Sequence, residues 1–172
     1  GSGTCYVIGN FDGKTFKEEG PAKYLDYGPD NYSGVTFNDA TERITIAWMN
    51  NWEYANQLVR DTWNGSMTAA RKLQIQNGEL VQIGETSKFE IAERQFEFRY
   101  LNGSLKFESK KGKLRIDRSE LWDSTISQFS LPVTAPYEVE ALFDAGSIEL
   151  SINGHFASVQ LLVGGETPVL SV

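Results

Sequence analysis

The stretch Met67–Gly84 reads MTAARKLQIQNGELVQIG, two alternating or β-branched runs joined by Asn77-Gly78. Asn-Gly supplies the positive φ angles that a two-residue turn needs, so the stretch predicts a β-hairpin. The same punctuation returns at Asn102-Gly103, between QFEFRY and SLKFES, and at Asn153-Gly154, between SIELSI and HFASVQLLV. Asp12-Gly13 predicts one more hairpin turn on the same chemistry. Further strands are predicted at TCYVIGNF, RITIAWM, KLRIDR and YEVEALF. Helical periodicity is weak throughout, and its best candidate, NQLVRDTW, is too short to change the class. Asn64-Gly65 has no clear strand before it and reads as a loop. The chain is expected to be all-β.

Its 172 residues, 40% hydrophobic and 12% aromatic, suffice for one substantial core or two small ones. The formal net charge of −7 and the scattered Lys and Arg residues lack the basic patch that attracts phosphates, so no nucleic-acid partner is expected. No apolar run approaches the roughly 18 residues of a membrane span. The opening GSGTCYVIGN has no basic region followed by an apolar segment, and no membrane partner is expected. Cys5 is the single cysteine, so it has no partner for an internal disulfide; His155 is the single histidine, in the turn-like INGHF. Cys/His catalysis and zinc clusters are thereby excluded, and no cofactor is expected.

Composition shifts near Gly84. Three of the four tryptophans, and long loops rich in Asp, Asn, Gly and Tyr, precede it, while evenly spaced strands with alternating charge follow. Such loops concentrate binding sites, whereas regular short strands suit a two-sheet sandwich. A boundary at about residue 84 is expected, dividing 1–84 from 85–172. The densest aromatic run, IAWMNNWEYA from Ile46 to Ala55, is either core or a surface on which a sugar ring stacks.

GSGTCYVIGNFDGKTF, LDYGPDNYSGVTFND, RITIAWMNNWEYA and WNGSMTAARKLQI resemble, in order, consecutive segments of glycoside hydrolase family 32, the invertases, inulinases and levanases. GKLRIDRSE and FDAGSIELSINGHFASVQLLV are similar to strands of that family's C-terminal β-sandwich. The resemblance covers nearly the whole chain and is most specific from Asp26 to Leu73. It implies a five-bladed β-propeller followed by a sandwich, and hydrolysis of terminal fructose from sucrose or fructans with retention of configuration. A polymer-degrading member would act outside the cell, a sucrose-utilising one in the cytoplasm.

Retaining hydrolysis needs two carboxyl groups about 5 Å apart, one a nucleophile and one an acid/base. The family carries them in W-M-N-D-P-N-G and E-C motifs, with a supporting aspartate in R-D-P. Here Trp48–Asn51 reads WMNN, with an amide at Asn51 and Trp52 where proline should stand. VRDTW around Arg60 and Asp61 also lacks the proline, and no Glu precedes Cys5. Asn10 departs from the aspartate usual in G-D-F-D-G, and Cys5 replaces a common glutamine. The resemblance therefore implies the last part of the propeller and the sandwich, without catalytic residues and inactive alone. Its implied partners are the missing N-terminal propeller blades and a fructose-containing sugar.

By the same resemblance Trp52 walls the fructose pocket and Tyr32 lines it; core packing is the alternative for both. Asp30 either orients pocket groups or, as the more favoured reading, stabilises a turn in YGPDNY. Trp48 is expected in the core by its alternation, Trp122 of ELWDS between the two sheets, and Glu53 on a solvated face. Two other functions fit the same residues: a non-catalytic fructan-binding module, with Trp52 and Tyr32 as an open platform, and a structural sandwich with no ligand. Parted from other blades, residues 1–84 would expose an edge strand and an apolar face, and either self-associate or pack against the sandwich.

Overall fold

The computed structural model describes residues 3–38, 41–57, 65–84 and 86–172, and among these it contains no α-helix. Two short ribbons open the chain: β1 (Cys5–Tyr6) pairs with β4 (Lys23–Tyr24), and β2 (Gly9–Phe11) with β3 (Phe16–Glu18). The Asp12 carboxylate closes the second ribbon by accepting the amides of Lys14 and Thr15 at 2.8 and 2.7 Å. Those two N–H groups hold its pKa below the usual carboxylate range.

A four-stranded antiparallel meander follows, in the order β5 (Tyr32–Asn38), β6 (Arg43–Trp48), β7 (Arg71–Gln76) and β8 (Glu79–Ile83). Asn77 and Gly78 turn β7 into β8 with φ of 52° and 77°, as their sequence predicts.

The second half holds β9 (Ser87–Ile91), β10 (Gln95–Tyr100), β11 (Gly103–Lys110), β12 (Lys113–Asp117), β13 (Gln128–Leu131), β14 (Tyr137–Asp144), β15 (Ser147–Ile152), β16 (His155–Gln160) and β17 (Val169–Ser171). One sheet runs β13-β12-β11-β10-β17 and the other β16-β15-β14-β9. Alternate residues of both sheets meet in one core: Phe98, Leu105, Phe107, Leu114 and Ile116 of the first sheet join Val139, Ile148, Leu150, Ile152 and Val159 of the second. At roughly 1.5–3 kcal/mol for each large side chain buried, this core carries most of the half's stability.

Two hairpins depart from the sequence reading. The register pairs Tyr100 with Gly103, so the turn lies on Leu101-Asn102 and Gly103 opens β11 with φ of 153°. Lys111-Gly112, with φ of 51° and 73°, turns β11 into β12, although no Asn marks it. The glycine alone suffices there because Lys111 accepts a left-handed conformation once both strands are paired.

The two halves are joined along β16. The Tyr27 amide donates to the Phe156 carbonyl at 2.7 Å and the Asp30 amide to that of Ser158 at 3.2 Å. Gly28 lies between these contacts, where an added Cβ would stand 2.2 Å from the Ser158 carbonyl oxygen. Only glycine allows the two backbones to come so close. Gly28→Ala is expected to force them apart and cost more than about 2 kcal/mol. An unchanged urea midpoint in that variant would refute this account of the seam.

Candidate functional site

Alternation along β6 points Thr45, Ala47 and Met49 inward, where all three are buried. Trp48 therefore faces the other way and is half-buried, not in the core as its strand context predicts. Period-2 alternation separates the two faces of a strand; which of them turns inward is decided by what packs on each. The indole of Trp48 lies 5.0 Å from that of Trp52, and Tyr32, paired with Trp48 across β5 and β6, meets both rings edge-on at 6.1 and 6.4 Å. Trp52 is 65% exposed.

Two buried asparagines shape the turn that presents Trp52. The Asn51 amide nitrogen donates to the Pro29 carbonyl at 2.7 Å, and its side-chain oxygen accepts the Glu53 amide at 3.0 Å. The Asn50 side chain caps the Asn51 amide at 2.8 Å. Asn51 is thus a buried pin beneath the tryptophans. Glu53 is exposed, as predicted.

Asp30 is fully buried, and both of its oxygens are engaged. One accepts Arg118 at 2.7 Å and the Gln160 amide at 2.8 Å, and the other accepts the Tyr54 hydroxyl. Arg118, equally buried, also donates to the Tyr54 hydroxyl and to the carbonyls of Ile126 and Gln160, each at 2.8 Å. Burial pushes the Asp30 carboxyl up, against Arg118 and the Gln160 amide, which favour its charged form. Burial and then the nearby Asp30 charge push the Tyr54 hydroxyl far up. Trp122 packs edge-on against Tyr54 at 4.6 Å, with the Arg118 guanidinium 4.7 Å from its ring. It belongs to the junction of the halves, not to the space between the two sheets where it was expected.

A second buried ion group lies beside the first. Arg71, on β7, reaches Asp26 at 3.0 Å, Glu149 on β15, and the Ser158 hydroxyl at 2.8 Å. Asp26 in turn accepts the amides of Gly28 and Ser158, both at 2.8 Å, and the Ser158 hydroxyl at 2.7 Å. Burial works against the charge on Arg71, but Asp26 and Glu149 outweigh it and hold its pKa above the ordinary value. Sequence reasoning missed Arg71, Arg118, Tyr54 and Gln160. Their aspartate partners lie 24 to 130 residues away, where no local pattern reaches.

The arrangement offers a surface and its support: an exposed tryptophan backed by two more rings, on a turn locked to the second half through Tyr54 and Asp30. A flat aromatic face of this kind buries the apolar side of a sugar ring, and neighbouring polar groups take its hydroxyls. Among the described residues no group of three His, Cys, Asp or Glu could hold a metal ion. Arg60 and Asp61 of VRDTW, and Trp63, lie outside the described residues.

One face of the meander is apolar along β5 and β6 and at two positions of β8, with Lys72, Gln74 and Gln76 of β7 between them. Cross-strand register places Val35, Phe37, Ile44, Ile46, Val81 and Ile83 on the same side as Trp48. Val35, Phe37 and Ile83 are about half exposed.

Residues 1–83 match the family model described as the glycosyl hydrolases family 32 N-terminal domain. A levanbiose-producing levanase of Bacillus subtilis is 42% identical over 80 residues, which are 41% of this chain and 16% of the levanase. An invertase of Kluyveromyces lactis is 40% identical over 79 residues, 44% of this chain and 13% of the invertase. The exo-inulinase of Aspergillus awamori superposes with a TM-score of 0.73 at 19% identity, over 98% of this chain and 48% of the inulinase chain. A β-fructofuranosidase variant of Bombyx mori in complex with sucrose does so with a TM-score of 0.69 at 19% identity, over 98% and 43%. These likenesses show a shared fold across both halves. The chain spans less than half the length of these solved structures.

Proposed function

We propose that this chain, whose residues 1–83 match the glycosyl hydrolases family 32 N-terminal domain model, is a member of that family and the C-terminal part of a β-fructosidase that hydrolyses sucrose or fructans with retention. In this reading residues 1–84 supply the last blade segments of a five-bladed propeller and residues 85–172 its sandwich. The meander β5–β8 serves as a blade, and its apolar face is the surface on which another blade packs. Without that neighbour, copies of the chain associate through this face, because Val35, Phe37 and Ile83 stand half exposed on it and are unfavourable in water.

One observation carries the reading: the family-matched half folds its WMNNW run so that Trp52 stands in the open with Trp48 and Tyr32 behind it. Trp52 stacks on the fructosyl ring and Tyr32 lines the same pocket. Asp30 acts at one remove, holding Tyr54 and hence the turn that carries Trp52. The carboxyl pair comes from the remainder of the enzyme, since Asn51 is an amide and is pinned beneath the turn. The high exposure of Trp52 also supports a second reading, a fructan-binding module that works without catalysis.

Fructose release from sucrose, inulin and levan tests both. The chain alone is expected to release none, and the same chain joined to upstream blades bearing W-M-N-D-P-N-G, R-D-P and E-C is expected to release it. In the joined enzyme Trp52→Ala should lower kcat/KM by about tenfold or more, with stability unchanged within about 0.5 kcal/mol. Hydrolysis by the chain alone, or unaltered kinetics in Trp52→Ala, would overturn the assignment. An inactive joined enzyme that still binds levan would favour the binding module.

A further inference from the structure

A second aromatic cluster lies at the opposite edge of the meander from Trp52. Tyr24 and Tyr27 stand 5.6 Å apart, and Tyr27 stands 5.3 Å from His155, so three rings form a chain from β4 to the tip of the β15–β16 hairpin. With Tyr6 they line one cleft between the two halves. Its mouth carries Lys23, which donates to both Glu79 oxygens at 2.7 and 2.6 Å. Leu80 of the edge strand β8 lines the same cleft as Tyr6. Tyr24 is 57% exposed, although it packs against the Tyr27 ring.

We infer that this cleft is an accessory binding site for a neutral oligosaccharide, and that its ligand is a fructosyl chain. The lining combines ring faces with a rim of donors and acceptors, the mixture that sugars require. Its one charged pair cancels internally, so the site offers no net attraction to an anion or a cation. Among the described residues no second carboxyl group joins Glu79 in the lining, and the site binds without cleaving. Trp52 follows β6 and packs on Tyr32 of the edge strand β5, while this cleft opens beyond β8, the other edge of the same sheet. One oligosaccharide ring cannot occupy both, so a polymer held in the cleft would be tethered near the Trp52 surface. Two linked sites raise the local concentration of chain ends.

The choice of a fructosyl ligand rests on the function proposed above; the cleft itself does not. The isotope-labelled 172-residue chain is titrated with nystose and, in parallel, with maltotriose, and amide shifts are followed. Nystose is expected to shift residues 6, 23–27 and 154–156 with a common saturating dependence. Tyr24→Ala and, independently, His155→Ala should each weaken that affinity by about tenfold, while Trp52→Ala leaves it unchanged. Both substituted side chains are at least partly exposed, so the fold survives their truncation. Absence of these shifts, or their loss in Trp52→Ala, would overturn the cleft, whatever the outcome of the fructose-release assay. Equal affinity for maltotriose would overturn the fructosyl assignment.

Discussion

Arg118→Ala is expected to destabilise the chain by about 3–5 kcal/mol, the range for breaking a buried ion pair from one side. Arg118 is fully buried, and its removal leaves Asp30 as a charge without its counter-ion, the Tyr54 hydroxyl without its donor, and the Ile126 and Gln160 carbonyls short of an N–H. Asp30→Ala should cost a similar amount by leaving the guanidinium alone. Because each variant breaks the same contact, the double variant is expected to fall well short of the sum. Additive costs in urea titrations would show that the pair is not coupled.

The pH dependence of the Arg118→Ala deficit follows from the same geometry. Burial already pushes the Asp30 carboxyl up, and loss of Arg118 removes the strongest influence that opposes it. A carboxyl whose folded pKa lies above its unfolded value of about 3.9 costs nothing below that value. Its cost grows as pH rises from the unfolded pKa towards the folded one and levels off above it. The deficit relative to the parent chain should therefore be smaller at pH 4 than at pH 7, and a deficit that grows on acidification would contradict this origin.

Arg71→Ala is expected to be comparably severe, about 3–5 kcal/mol, but to act locally. Arg71 is the counter-ion of both Asp26 and Glu149 and stacks on the Phe156 ring at 4.6 Å. Its removal leaves two carboxylates facing each other across the junction of the halves. Arg71→Lys should recover little, because an ammonium is a point charge and lacks the planar fork that reaches both acids and the Ser158 hydroxyl. Hydrogen exchange distinguishes opening of the junction from global unfolding. Amides of Tyr27 and Asp30 should lose protection, while those of β10–β12, whose bonds and core lie within the second half, keep theirs. Equal losses in both places would mean that the junction and the two-sheet core unfold as one unit.

The all-β class and most hairpins were legible in the sequence because their signals are local. Asn77-Gly78 and Asn153-Gly154 adopt the left-handed pairs that their chemistry favours. The Asp12 turn closes through its own carboxylate within three residues. The aromatic run from Trp48 to Trp52 was visible as unusual, and it lies within residues 1–83, which match the glycosyl hydrolases family 32 N-terminal domain model. Trp48 shows where that legibility stops: alternation placed it on one face of β6, and the buried ring of contacts around Ala47 and Met49 made that face the outer one.

What the tertiary structure alone decided is the junction. Asp26 is joined to Ser158 across 132 positions and Asp30 to Arg118 across 88. YGPDNY reads as a turn, and the reading misses that Gly28 lets the chain lie against β16 and that both flanking aspartates end beneath it. β15 alternates Ser147, Glu149 and Ser151 with isoleucine and leucine, a pattern that predicts one wet face, yet all six of its residues are buried. Its polar face is dry because the first half covers it, with Arg71 neutralising Glu149. Local sequence determines which groups a strand can offer to each side; whether a side meets water or a buried counter-ion depends on chain segments far away along the sequence, and folding alone brings those together.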